Sequence, residues 1–162
     1  MVGLSLSVGW QLPRVRCFAS HASVLCEARG FVREMGRLFD LSKVAIEELA
    51  LAVSEACRNA IDHADTALIF VSWQVAHQQV DVQVKDDGIF RRRVPFPELA
   101  DSTSGFGIPL MMAMVDEFAL SQGTPESPGT LVRLRKDIEE DDRQASVPVI
   151  VRVPDMAPGP LA

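Results

Sequence analysis

The fold of this 162-residue chain is decided by the stretch VSEACRNAIDHA at residues 53–64. It closes a longer segment in which apolar residues recur at spacings of three and four, as on one buried face of a helix. These residues are Ile46, Leu49, Ala50, Val53, Ala56, Cys57, Ala60 and Ile61. Because Ser42 precedes the segment and can cap it, we predict a helix from Ser42 to about Ala64.

Two polar side chains of this helix, Glu55 and Asn59, stand four residues apart. That spacing places them on one helix face, about one turn from each other. A carboxylate so placed can polarise a hydroxyl group, while a carboxamide oxygen can ligate a hard cation such as Mg²⁺. Taken alone, the pair is more typical of a solvated helix face, so its interpretation depends on the other motifs.

Two further signals follow along the chain. Asp86-Asp87-Gly88 comes directly after a strand-like run, where a carboxylate can accept a hydrogen bond from an exocyclic amine. An ordinary Asp-Gly turn has the same pattern. Gly105-Phe106-Gly107 opens a short helix with Pro109 in its first turn, and the free N–H groups of a helix N-terminus suit a phosphate. The glycines complete neither a dinucleotide-binding fingerprint nor a P-loop.

Along the chain, the predicted helices and strands occur in groups and do not strictly alternate. Strands are predicted at 4–12, 68–75, 80–85, 118–121 and 130–135, and further helices at 24–39, with Ser20 as its cap, and at 108–116. Residues 89–104 have no clear period and predict a long loop. Grouping of this kind favours an α+β fold of two layers, a mixed and mostly antiparallel sheet covered on one face by helices.

Composition narrows the function classes. Hydrophobic residues make up 48% of the chain, as in globular domains, and 22 acidic against 16 basic residues give a net charge of −6. An acidic chain repels phosphate backbones, so we expect no direct nucleic-acid partner. No apolar run is long enough to span a bilayer and the first residues do not resemble a signal peptide, so we expect a cytoplasmic protein without a membrane partner.

The three cysteines are widely spaced and form no C-x-x-C pair. This argues against a zinc site or a disulfide framework. We expect reduced thiols, at least two of them packed as small apolar side chains.

The chain changes character near residue 138. We divide it into a domain at 1–137 and a C-terminal tail at 138–162, which contains prolines and the acidic block Glu139-Glu140-Asp141-Asp142. We expect this tail to be partly disordered, with one strand-like run at 147–153.

In this order within one short domain, the motifs resemble those of the GHKL ATPase superfamily, which has the Bergerat nucleotide-binding fold. They look most like the serine/threonine kinases that act as anti-sigma factors in bacterial partner-switching systems. Residues 53–64 are similar to the family's N box, residues 84–88 to its first glycine box and residues 105–112 to its second. Gly129-Thr130 resembles the late Gly-Thr pair. The resemblance covers about residues 4–136.

The resemblance implies a role for each matching residue. Glu55 would be the base or the orienting group for the attacking hydroxyl, and Asn59 would ligate the Mg²⁺ that bridges the phosphates of ATP. Asp86 would read the adenine amino group. The remaining matches would surround the nucleotide, with Gly88 at the base, Gly105 and Gly107 around the phosphates, and Thr130 at the adenine end.

The implied activity is ATP-dependent phosphorylation of a Ser or Thr on a small STAS-domain antagonist, with a sigma factor held as second partner. Homodimers are common in the family. Two alternatives stay open, a nucleotide-gated binding module without kinase activity and a switch kinase whose target is not a sigma factor. A histidine kinase or a gyrase- or chaperone-type ATPase fits less well, because we see no phosphoacceptor hairpin and no room for a transducer domain.

Two departures from the family's pattern lie in the predicted loop. Ile89 and Phe90 stand where many members have a second glycine. This difference affects the start of the predicted loop at 89–104, which would form the lid of the site, but not the role of Asp86. Arg91, Arg92 and Arg93 match no family motif. They can pair with phosphates or an acidic partner surface, or simply be solvated.

Overall fold

The structure, a computed structural model, describes residues 12–88 and 106–138. These residues form three helices and five strands, grouped along the chain as the sequence predicts. In chain order the elements are β1 (Arg14–Ala19), α1 (Val24–Leu38), α2 (Lys43–His63), β2 (Leu68–Ala76), β3 (Gln79–Asp86), α3 (Gly107–Met114), β4 (Glu117–Thr124) and β5 (Ser127–Asp137). The predicted α+β class is confirmed.

The five strands form one open sheet in the order β1-β2-β3-β5-β4, and all of its described pairings are antiparallel. The order places β5 beside β3, although 40 residues separate the end of one from the start of the other. As a result, Asp86 at the end of β3 lies opposite Thr130 near the start of β5. The sheet therefore joins two motifs that are distant in sequence.

The core lies between the sheet and the helices. Alternate residues of the central strands are buried there, namely Ile69, Val71, Trp73, Val80, Val82, Val84, Val132 and Leu134. From α2 the whole predicted stripe is buried except Ile61, which is half-buried against the core. This arrangement holds α2 rigidly over the middle of the sheet, and α2 carries Glu55 and Asn59.

The N-terminus of α2 is capped as predicted. Ser42 has extended backbone angles and its hydroxyl oxygen accepts a hydrogen bond from the N–H of Ala45 at 3.1 Å. By contrast, Ser23 stands at the N-cap position of α1 but makes no capping hydrogen bond through its side chain.

This difference predicts unequal effects of two Ser→Ala substitutions. Ser42→Ala is expected to lower the free energy of unfolding by about 1 kcal/mol, because it leaves a helix N–H without its acceptor. Ser23→Ala, the matched control, is expected to cost less than about 0.5 kcal/mol. Urea unfolding of both variants measures the difference, and equal losses would contradict it.

Strand β1 was not predicted, and Ser20 does not cap α1. Nearly all of the predicted strand at 4–12 lies outside the described residues. Only Phe18 of β1 is buried, and Val15 and Cys17, which alternate with the two arginines, are exposed. The Arg16 guanidinium lies 4.9 Å from the centre of the Phe31 ring of α1, a cation–π contact. Ser20 belongs to the turn before α1, where its N–H donates to the Ala67 carbonyl.

All three thiols are free, but only Cys57 is buried, while Cys17 and Cys26 are exposed. The expectation that at least two pack in the core is therefore wrong. Cys57 lies on the buried face of α2, where burial raises the pKa of its thiol to about 12. It behaves as a small apolar side chain and stays protonated at neutral pH.

The described part of the domain ends at Ile138, which is buried and whose N–H donates to the Gln78 carbonyl at 2.7 Å. The predicted loop at 89–104 and the run at 147–153 lie outside the described residues.

Removal of residues 139–162 is expected to change the melting temperature by less than about 3 °C, because the buried Ile138 is kept and the acidic, proline-containing composition of 139–162 favours a tail outside the core. Removal of residues 138–162, one residue more, is expected to cost about 1–2 kcal/mol from the lost burial of Ile138. Thermal unfolding of both truncated chains makes the comparison. A large fall in melting temperature after removal of residues 139–162 would show that the tail packs on the domain.

Candidate functional site

The site begins with the two polar side chains of α2. The Glu55 side chain is only 14% exposed, and its Oε1 lies 3.9 Å from Nη2 of Arg58. Asn59, one turn further along α2, is half-buried. Both side chains thus lie in a partly shielded place instead of on the open helix face that their spacing alone would allow.

The N-terminus of α3 packs directly on this pair. A Cβ atom built on Gly107 would lie 3.4 Å from Oδ1 of Asn59 and 3.5 Å from Oε2 of Glu55. Any larger residue at 107 would fill the space in front of both side chains. Since the first N–H groups of a helix have no partner within the helix, this space adjoins a carboxylate, a carboxamide and backbone donors. Gly105 lies outside the described residues.

A second group of residues meets at the neighbouring ends of β3 and β5. Asp86 is 4% exposed, and its Oδ1 accepts a hydrogen bond from the N–H of Gly88 at 3.1 Å. Burial raises the pKa of Asp86 above its ordinary value of 3.8, against the lowering effect of backbone hydrogen bonds from Gly88 and Thr130. A carboxylate offers about four acceptor positions, so Asp86 retains capacity for a ligand donor.

Thr130 faces the same region with an unused polar atom. It is 8% exposed, and its Oγ1 is buried without a hydrogen-bond partner among the described residues. Buried hydroxyl groups are normally satisfied by protein, water or ligand. The Thr130 hydroxyl is therefore suited to a polar group of a bound molecule, directly or through water.

Two glycines allow the close backbone approaches that hold this region together. Gly129 has φ +138, and a Cβ there would lie 2.6 Å from the carbonyl oxygen of Asp86. A Cβ on Gly88 would lie 2.8 Å from the carbonyl of Asp65. The space beside Gly88 is thus already occupied by the chain itself. Gly129 and Asp65 were not among the predicted site residues, although the Gly-Thr pair was a signal for the first.

These residues fit an adenine nucleotide with Mg²⁺. The backbone donors at the start of α3, close to Glu55 and Asn59, suit phosphates, and the buried Asp86 carboxylate suits an amino group. Within residues 12–88 and 106–138, no three His, Cys, Asp or Glu side chains cluster as metal ligands. A single carboxamide ligand from Asn59 still fits Mg²⁺, which takes most of its ligands from phosphates and water.

Comparison with known proteins assigns the chain to a family. The profile of the histidine kinase-like ATPase domain matches residues 18–136. The chain belongs to this family. The resemblance to GHKL ATPases is thereby confirmed, and the antiparallel sheet with helices on one face is the fold of that ATPase domain. No curated protein matches the sequence.

Among solved structures, this histidine kinase-like ATPase domain is similar to the crystal structure of the RsbU and RsbW domains of Rv1364c from Mycobacterium tuberculosis. The TM-score is 0.61 at 18% identity, over 79% of this chain. The match spans 33% of the length of the chain in that solved structure. At this identity the likeness concerns the fold. None of the described helices is long and apolar enough to cross a membrane.

Proposed function

We propose that this ATPase domain binds Mg·ATP and transfers the γ-phosphoryl group to a Ser or Thr hydroxyl of a small STAS-domain antagonist. In this proposal a sigma factor is the second partner, held by the same chain. The observation that supports the enzymatic part is that a Cβ atom on Gly107 would be in contact distance of both Glu55 and Asn59. In this proposal phosphates bound at the start of α3 would lie beside those two side chains.

Each described residue then has one task in binding. The carboxamide oxygen of Asn59 would ligate Mg²⁺, and the backbone N–H groups at the start of α3 would donate to phosphate oxygens. Asp86 would accept a hydrogen bond from the adenine amino group, and Thr130 would support the same end of the base. Bound Mg²⁺ would neutralise charge on the triphosphate.

Glu55 is the proposed general base or orienting residue. Its carboxylate would accept a hydrogen bond from the acceptor hydroxyl, align the oxygen for in-line attack and take the proton as the oxygen–phosphorus bond forms and the bond from the γ-phosphorus to the departing ADP breaks. The low exposure of Glu55 favours this task, because water competes less for its oxygens there.

The partner assignment rests on the motif resemblance. An RsbW domain is part of the similar solved structure, which supports the same class of protein without identifying a partner of this chain. The cytoplasmic location, the homodimer and the absence of direct nucleic-acid contact are parts of the same proposal.

The test is a transfer assay with ATP labelled on its γ-phosphate and a candidate STAS protein from the same source. We expect acid-stable label on a Ser or Thr of the STAS protein, because phosphohistidine would be lost in acid. Pull-down with a candidate sigma factor, with and without the STAS protein, tests the second partner. Calorimetric ATP binding without any transfer would contradict the kinase and leave a nucleotide-gated binding module. Transfer without sigma-factor capture would leave a switch kinase with another target.

A further inference from the structure

The short connection between α2 and β2, residues 64–67, contacts the turn that follows Asp86. Oγ1 of Thr66 lies 2.6 Å from Oδ1 of Asp87 and 2.8 Å from the carbonyl oxygen of Leu68. The Leu68 carbonyl and the Asp87 carboxyl oxygen both accept, so the one hydroxyl proton of Thr66 is shared between them, with the shorter contact to Asp87. Thr66 thus donates to the residue next to the proposed adenine reader.

The next residue of the same turn is held on the same connection. Gly88 lies so close to the Asp65 backbone that a Cβ would be 2.8 Å from its carbonyl carbon and oxygen. The N–H of Gly88 in turn donates to the Asp86 carboxylate. Both residues after Asp86 therefore rest on the connection, one through a hydrogen bond and one through van der Waals contact.

We propose that Thr66 and Asp87 are positioning residues for the nucleotide base, and that their hydrogen bond sets the direction in which the Asp86 carboxylate faces the adenine amino group. The inference rests on the proposed function, since it assumes that Asp86 reads adenine. The connection continues directly from α2, which carries Glu55 and Asn59. The bond between Thr66 and Asp87 therefore also places the base end of the site relative to its phosphate end.

The exposure of Thr66 and Asp87 indicates that their hydrogen bond positions Asp86 more than it stabilises the fold. Asp87 is exposed and Thr66 is half-buried, so neither side chain contributes a fully buried contact to the core. Loss of one hydrogen bond at such a place costs little in folding. A small shift of the Asp86 carboxylate, in contrast, acts directly on a hydrogen bond to the ligand.

The test compares Thr66→Val, which removes the hydroxyl at nearly constant shape, with Thr66→Ser, which retains it. Thr124→Val is the matched control, since Thr124 ends β4, where its hydroxyl accepts from the N–H of Ser127 at 3.3 Å and also hydrogen-bonds with the Glu126 carboxylate. Calorimetry measures the affinity of each protein for ATP and for purine riboside triphosphate, which lacks the 6-amino group. Purine riboside triphosphate cannot donate a hydrogen bond to Asp86 through that group.

We expect Thr66→Val to bind ATP about five- to tenfold more weakly and purine riboside triphosphate within about twofold of the wild type. Thr66→Ser and Thr124→Val are expected to keep the wild-type preference for ATP. Equal weakening of both nucleotides, or no weakening of ATP, would overturn the positioning role while the proposed function stands. A wild type that binds no ATP would overturn the proposed function itself, and this inference with it.

Discussion

Replacing Glu55 with Ala is expected to lower phosphoryl transfer to the acceptor protein by about 10²- to 10⁴-fold while ATP affinity changes only a few-fold. The reason is the division of labour within the site. In the proposed mechanism Glu55 acts on the acceptor hydroxyl, whereas Asn59, Asp86 and the N-terminus of α3 hold the nucleotide. Loss of the base therefore affects the chemical step more than binding. Single-turnover transfer and calorimetric ATP binding measure the two effects separately.

Two further variants sharpen the Glu55 experiment. Glu55→Gln keeps the shape of the side chain but cannot take a proton, so it is expected to resemble Glu55→Ala in transfer. Glu47→Ala is the matched control on the same helix, because Glu47 pairs with Arg33 of α1 at 2.7 Å, away from Gly107. We expect Glu47→Ala to transfer phosphate at close to the wild-type rate. Unchanged transfer in Glu55→Ala would show that another group activates the hydroxyl.

Asp86→Asn is expected to weaken ATP binding by about 10- to 100-fold and, at neutral pH, to raise the stability of the domain. The loss of affinity follows from replacing a charged acceptor of a hydrogen bond by a neutral one. The gain in stability follows from the direction of the pKa shift. Burial raises the pKa of Asp86 above 3.8, so the ionised form destabilises the folded state and the isosteric amide relieves that cost.

The pH dependence of this gain has a definite sign. A folded-state pKa above the ordinary value of 3.8 means that the folded protein binds the Asp86 proton more tightly than the unfolded chain. The penalty is present at neutral pH, fades as the pH falls through the raised pKa and is absent below about 3.8. The stability difference between Asp86→Asn and the wild type should therefore close over that interval. Urea unfolding of both proteins between pH 7 and pH 3.5 measures it.

Asp81, on the same strand β3, is a control because its pKa shifts in the opposite direction. Partial burial would raise the pKa of Asp81, but hydrogen bonds from Arg133 and Arg135 outweigh it and the pKa is lowered. Asp81→Asn is therefore expected to reduce stability at neutral pH, and the loss should shrink as the pH falls below 3.8. ATP affinity should stay near the wild-type value. Weak ATP binding by Asp81→Asn, or full ATP binding by Asp86→Asn, would contradict the assignment of the adenine reader.

Helix α2 is the element that could be predicted most completely. Its apolar period runs over many turns and its cap is a serine with a clear acceptor role, so local rules and tertiary packing agree. The hairpin of β2 and β3 was also predicted, although the strands extend further and leave only His77 and Gln78 in the turn, both with positive φ. Such ends depend on pairing between strands, which a single segment does not reveal.

Strand β1 shows why other elements could not be predicted. Its residues are mostly exposed. The cation–π contact between Arg16 and Phe31 takes the place of the buried apolar side chains that a period-two pattern would indicate. The same limit applies to Cys17 and Cys26, which are exposed although free cysteines are commonly buried, because the local sequence does not show which of them faces the core.

By itself the sequence determined the residue types of the site and their order along the chain. A carboxylate and a carboxamide four residues apart on a strongly periodic helix must share a face, because helix geometry is local. Only the tertiary structure decided that Gly107 rests on Glu55 and Asn59, that Asp86 lies opposite Thr130 and that Thr66 holds the turn after Asp86. Those approaches depend on strand order and on packing between segments far apart in sequence, and no local pattern encodes the distance between them.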